Sequence, residues 1–220
     1  MDSSLLDIIR LSLQVSGIAL VISVVIGIPT GILMGLKRFS GRKVIVALLY
    51  TGMGFPPVVV GLFVYLLLSR SGPLGSLHLS FIPALFTPAA MVVAQVIIAF
   101  PLVAGLTMSA VMGVNPNLRL QVMALGATSR QAALSVLMEA RVGVMVAVIA
   151  GFGGIISEVG AVMMVGGNIE GRTRVLTTAI VLLTREGDWT AAIILAVILL
   201  GITFVANVAM LRLQGRSFDE

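Results

Sequence analysis

The chain has 220 residues, 59% of them hydrophobic and only 10% charged, against about a quarter charged in water-soluble domains, so an ordinary soluble domain is excluded. It has no cysteine, which excludes disulfides and thiolate metal sites. A mean hydropathy of +1.15 and a pI near 10.7 would suggest nucleic acid as a partner in a soluble protein; in a greasy one they point to basic loops held on one side of a lipid bilayer, and no nucleic-acid partner is expected.

The first apolar run, residues 11–36, is longer than the roughly 20 residues that span a bilayer. Gly27, Gly31 and Gly35 recur every fourth residue within it and therefore share one helical face. Such a face lets another helix approach closely, either within the subunit or across a dimer. Pro29 is expected to kink this span. Asp2 and Asp7 precede it without a basic leader, so no cleavable signal peptide is expected. Lys37, Arg38, Arg42 and Lys43 form a short basic loop. The second run, residues 44–69, is interrupted by Gly52, Gly54, Pro56 and Pro57. Paired prolines free backbone groups that protein or water must satisfy, which turns this span toward a bundle interior. A Gly/Pro/Ser loop follows. It holds the only histidine, His78, which as a lone loop residue reads as solvated. The third run, about 84–111, is expected to bend at Pro88 and Pro101. Gln95 is its one strongly polar side chain, suited to a bond with a neighbouring helix or to lining a path.

Asn115–Gly143 is the longest mid-chain interval that is not simply apolar, and its local signals are unusually complete. Asn115 can cap a helix with Pro116 at its first position. That helix is expected to run to Leu125, with Gly126 ending it in the left-handed conformation. Thr128 then caps a second helix, with Gln131 three residues on as in a capping box. The second helix is expected to continue without interruption into the fourth apolar run, 142–165. This segment reads either as an ordinary amphipathic loop or as a docking elbow for a partner on the membrane surface. The fourth run contains Glu158, a carboxylate too costly to face lipid; a buried hydrogen bond, a part in a gate, or a proton relay would explain it. Residues 166–188 hold an apolar core, 175–183, too short to span, which reads as an interfacial or re-entrant segment. The last run, 189–213, opens on Trp189, placed as an interfacial anchor.

The resulting expectation is an all-α polytopic bundle, one domain over 1–220, with five spans and termini on opposite sides. Nine basic residues fall on one side (Lys37, Arg38, Arg42, Lys43, Arg119, Arg130, Arg141, Arg212, Arg216) and five on the other (Arg10, Arg70, Arg172, Arg174, Arg185). The positive-inside rule then places the N-terminus outside and the elbow and C-terminus in the cytoplasm. No phosphate-binding loop, HExxH or GxSxG motif, or Cys/His cluster occurs, so neither catalysis nor a cofactor or metal is expected. An ion-driven secondary transporter would need more intramembrane ionisable residues than Glu158, and an intramembrane hydrolase would need a nucleophile–base pair. A transport subunit with an external motor fits better.

The elbow sequence Ala124-Leu125-Gly126-Ala127-Thr128 resembles the coupling loop of ABC-importer permeases of the type I class. Gly72-Pro73-Leu74-Gly75 and the stretch from Ser157-Glu158-Val159-Gly160-Ala161 through Met163-Met164-Val165-Gly166-Gly167-Asn168-Ile169 are similar to molybdate and tungstate permeases, the tungstate branch above all. Leu120-Gln121-Val122 stands where that family's loop has Glu-Ala-Ala, and Met138 where it has a proline, followed by Glu139 and Arg141. The resemblance implies a homodimer around one path, two cytoplasmic ATPase subunits, and an extracytoplasmic oxyanion-binding protein. It implies that Asn115, Pro116, Leu118, Met123, Ala124, Leu125, Gly126, Ala127 and Thr128 couple the permease to the ATPase. Glu158, Gly160, Asn168, Arg172 and Arg174 are expected at the path or its gate, the arginines because guanidinium forks suit oxyanions. The oxyanions tungstate and molybdate are nearly alike in size and charge, so selection between them is expected to rest with the binding protein.

Overall fold

The computed structural model describes residues 2–77, 79 and 81–213; His78 and Arg216 lie outside the described residues. Among the described residues every long element is an α-helix: α1 (Asp2–Leu36), α2 (Arg42–Met53), α3 (Pro57–Leu68), α4 (Pro88–Met112), α5 (Pro116–Ala124), α6 (Ser129–Glu139), α7 (Arg141–Ile156), α8 (Gly160–Gly166), α9 (Leu176–Glu186) and α10 (Trp189–Leu213). Helices α1, α4 and α10 are each long and apolar enough to cross a membrane, and two broken pairs, α2 with α3 and α6 with α7, raise the number to five if each pair is one span. Their apolar side chains are widely exposed, as on α10, where Ile193, Val197, Leu200, Phe204 and Val205 face outward. A water-soluble protein does not leave such a surface uncovered, whereas lipid covers it without penalty.

The interruptions follow from local chemistry. Helix α2 stops at Gly54, and Pro56 caps the start of α3 with Pro57 at its first position, where a proline loses no helical hydrogen bond. Pro88 likewise stands at the first position of α4; the bend expected there is instead a helix start. Both Pro29 and Pro101 lie inside helices that continue through them. Two expectations about the fourth run need correction. Residues 142–165 form not one helix but α7 and α8, separated at Ser157–Val159. Nor does the helix begun at Thr128 run on unbroken: α6 ends at Glu139, and α7 departs from it by 60°. Ala140 and Val144 pack with Val111, Val136 and Leu118, and this shared apolar seat fixes the bend where no proline marks it.

The chain divides into two compact units. The first comprises the chain up to Ile22, Phe55–Ala99 and Phe152–Ala206. Its core joins Val15, Val60, Val64, Met91, Val162 and Val165, with α8 packed along α3. There is no room there for larger groups: a Cβ on Gly61 would lie 2.6 Å from the Cα of Ala161, and one on Gly160 2.6 Å from a methyl of Val58. The second unit comprises Ser23–Gly54, Phe100–Gly151 and the chain from Asn207. In it the glycine stripe of α1 lies against α4. A Cβ would meet Val103 at 3.0 Å from Gly27, the Ala104 carbonyl at 2.5 Å from Gly31, and Val111 at 2.7 Å from Gly35. The stripe therefore serves packing within the subunit.

Backbone sits opposite Gly31 and cannot yield as a side chain tip can, so Gly31→Ala is expected to lower stability by about 1–3 kcal/mol through overpacking. Gly17, on the same helix with nothing within 4 Å, supplies the comparison. Melting of the purified protein in detergent should fall for Gly31→Ala and hold for Gly17→Ala.

Candidate functional site

The elbow is built as its sequence suggests, with caps at every end. The Asn115 side chain accepts the Asn117 N–H at 2.9 Å, and α5 ends at Ala124, one residue before the expected Leu125, which is its C-cap. Gly126 follows with φ of +92°. Its N–H reaches the Met123 carbonyl at 3.0 Å while the Ala127 N–H reaches that of Val122 at 3.2 Å. These two bonds are the Schellman pair that closes a helix through a left-handed residue. At the start of α6, the Gln131 N–H donates to the Thr128 hydroxyl at 3.4 Å, and the Thr128 N–H to the Gln131 side-chain oxygen at 2.8 Å. That is the full capping box.

Two stops so close together fix the angle at which α5 is presented. Leu118 turns inward onto Val111, Val136 and Ala140, whereas Leu120, Met123 and above all Leu125, 88% exposed, turn outward. Ala127 is half-buried, and Asn115, Pro116, Ala124, Gly126 and Thr128 are exposed. Eight of the nine expected coupling residues thus lie at or beside the exposed ridge of one helix–turn–helix, and Leu118 anchors it from below.

The second group of expected residues brackets α8. Glu158 is buried, and its carboxylate accepts the Ala161 N–H at 2.8 Å, occupying a free donor in the first turn of α8 as a cap does. Its backbone carbonyl accepts the Thr177 hydroxyl at 2.9 Å. Of the readings open for Glu158, the buried hydrogen bond is the one this geometry displays. Gly160 lets α8 approach Val58. At the far end, Gly167 and Asn168 are both left-handed, with φ of +73° and +51°, so the chain reverses sharply into the loop that carries Arg172 and Arg174.

Thr173, fully buried, staples that loop: its hydroxyl donates to the Gly166 carbonyl at 2.6 Å and accepts the Ile169 N–H at 2.9 Å. Arg174 pairs with Glu170 at 3.3 Å, while Arg172 is exposed. Gln95 donates to the Ile155 carbonyl at 3.2 Å, the helix-to-helix bond expected of it. Sequence reasoning passed over Thr173, Ser12 and the face of α1 that meets this loop. The usable signal was the spacing of Asp7, Arg10, Leu11 and Gln14, three to four residues apart and hence on one side of a helix.

Residues 27–218 match the family of binding-protein-dependent transport system inner membrane components, and the chain belongs to that family. It is therefore the multi-pass permease subunit of an importer, a class that works with an ATPase and a substrate-binding protein. It is 43% identical to a probable anion ABC transporter permease protein of Haloferax volcanii, covering 97% of this chain and 92% of that one. It is 40% identical to the tungstate uptake system permease protein TupB of Peptoclostridium acidaminophilum, over 97% and 91% of the two chains. In fold it is similar to a bacterial ABC transporter involved in import of the acidic polysaccharide alginate, with a TM-score of 0.73 and 22% identity over 96% of this chain and 80% of that one.

The Glu158 geometry gives a direct expectation. Glu158→Gln keeps an acceptor oxygen for Ala161 and should leave the melting temperature in detergent unchanged. Glu158→Ala strands a buried donor and should lower stability by about 1–3 kcal/mol. Equal losses in both variants would show that the charge, not the hydrogen bond, is what the fold requires.

Proposed function

We propose that two copies of this chain enclose the path of an ATP-driven importer for a small tetrahedral oxyanion, tungstate in the first place and molybdate in the second, with the N-terminus outside and the elbow in the cytoplasm against the ATPase. The substrate reading draws on the relatives named for anion and tungstate uptake at 43% and 40% identity. The orientation draws on the basic loops, nine residues against five, and the positive-inside rule. The observation that carries the mechanism is the elbow itself: a short helix closed at both ends, with Leu120, Met123 and Leu125 exposed on the side that would face the motor.

In this reading ATP-driven closure of the two ATPase subunits displaces α5. Because α5 is followed by a locked turn and then by α6, the displacement reaches the foot of α7 without being absorbed in a loose loop. A rigid element with two positions is what converts a local push into a change of access. Glu158, Gly160 and Asn168 bound the short helix α8 and serve at the gate, where a capped, close-packed half-helix can shift as one piece. Transport by an ion gradient is disfavoured by the engagement of the Glu158 carboxylate with a backbone N–H.

The test is tungstate uptake into proteoliposomes holding the permease, its ATPase and its binding protein. Uptake should require ATP and persist when ionophores collapse every ion gradient. Gly126→Val should leave membrane insertion intact, because a Cβ there meets nothing within 4 Å and the penalty is only the strain of a left-handed β-branched residue, about 1–2 kcal/mol. It should nevertheless impair ATPase binding and uptake, as should Ala127→Asp at the tight turn. Normal copurification and normal uptake in both variants would reduce this segment to an ordinary loop.

A further inference from the structure

We propose that the cleft between α1 and the loop following α8 is a binding site for a tetrahedral oxyanion. It is lined by Asp7, Arg10 and Gln14 from α1 and by Glu170, Arg172 and Arg174 from the loop, and its volume is about 480 Å³. Three arginines and two carboxylate residues line this space, one arginine and one carboxylate on α1 and the rest on the loop, so the cleft carries excess positive charge. Only one of the three is spent: Arg174 pairs with Glu170 at 3.3 Å. Among the described residues Arg10 and Arg172 have no carboxylate partner, and both are exposed. The Nε of Arg174 is buried and has no acceptor. Arg10 and Arg172 therefore offer the cleft unused guanidinium donors, whose fork geometry fits an oxyanion two oxygens at a time.

The walls are held before any ligand arrives. The N–H groups of Arg172, Thr173 and Arg174 converge on the Ile169 carbonyl at 3.2, 2.9 and 3.0 Å, and Thr173 ties the same turn to Gly166 at 2.6 Å. The loop is then fastened to α1 where the Leu176 N–H donates to the Ser12 hydroxyl at 2.8 Å; that hydroxyl donates in turn to the Ile8 carbonyl at 2.7 Å. Arg10 and Arg172 are thus carried by two elements locked to each other, which spares a ligand much of the ordering entropy of binding.

Asp7 and Glu170 work against an anion and keep the site weak. Weak binding suits a place where an anion pauses and moves on, since conduction requires that a ligand leave as readily as it enters. The same chemistry would hold a phosphate headgroup of an anionic lipid. The inference rests on the importer reading only in taking tungstate as the probe.

The experiment uses the permease–ATPase complex, without the binding protein, in nanodiscs of phosphatidylcholine alone, titrated with tungstate. Saturable binding is expected. Arg10→Gln and Arg172→Gln should each weaken it about ten-fold, the loss of one charge-assisted contact. Glu170→Gln should strengthen it several-fold by releasing Arg174. Opposite signs at Arg172 and Glu170 distinguish a ligand site from a merely structural ion cluster. A second arm adds phosphatidylglycerol: native mass spectrometry should show lipid retained by the parent complex and lost from the Arg10→Gln/Arg172→Gln variant if a headgroup is the occupant. Unchanged melting temperatures establish that the variants fold. Tungstate or phosphatidylglycerol binding that depends on both arginines supports the site; binding of either kind that ignores the arginines, or no binding at all, overturns it. ATP-driven tungstate uptake in the same complexes, supplied with binding protein, separates the two readings. Intact uptake without cleft binding removes this site and leaves the importer, whereas arginine-dependent lipid retention without tungstate uptake does the reverse.

Discussion

A peptide N–H in a water-poor interior has no solvent to turn to, and this constraint organises the protein. Unbroken helices such as α1 and α4 meet it by construction, even through an internal proline. Broken helices must meet it with side chains. At the Ser157–Val159 interruption the debt falls on Glu158, whose carboxylate takes the Ala161 N–H. Thr177, from α9, then binds the carbonyl of Glu158, so α9 is fastened to the break itself. Near the start of α9 the Thr178 hydroxyl accepts the Val175 N–H at 3.1 Å, and Ser12 accepts that of Leu176. A single set of hydroxyls and one carboxylate thus joins α1, α8 and α9 in the first unit. Those polar side chains are all buried, which is affordable because each has a partner.

The second unit meets a different demand, the presentation of a surface. Its helices approach closely through small residues, Gly27, Gly31 and Gly35 on α1 against α4 and Gly105 against Met53. On that rigid base the elbow is held by local hydrogen bonds at both ends of its turn. Its exposed leucines and methionine gain nothing for the fold and are therefore available to a partner. Local closure and exposed apolar side chains are the combination expected where force enters a protein, since a motor can push only on something that does not fold away under it.

How much of this was legible depends on how local the determinant is. The elbow could be read residue by residue because Asn115, Pro116, Gly126, Thr128 and Gln131 act on backbone groups within five positions of themselves. The four-residue glycine period announced a close helix contact, though not whether α4 or a second copy would fill it. The bend at Ala140 left no mark, because it comes from packing of Ala140 and Val144 on Val111 and not from any breaker. The α7–α8 interruption was hidden for a related reason: Val142–Val165 is uniformly apolar around Glu158, and only the folded chain shows the carboxylate turned back onto Ala161. The cleft beside Arg172 needed two segments some 160 residues apart in sequence, as Ser12 and Leu176 are, and no period or motif connects them. The family resemblance carried the class of protein, and the match over residues 27–218 bears it out.

If α5 is the surface on which the ATPase acts, Leu125 is covered in the assembled importer, and the chain's lack of cysteine allows a clean test. Leu125→Cys would place one thiol at the most exposed point of the elbow, and its labelling by a water-soluble maleimide can be timed in the permease alone and in the assembled importer. Rapid labelling of the permease alone and strong protection once the ATPase is bound are expected. Equal labelling rates in the two preparations would contradict docking of the ATPase on α5.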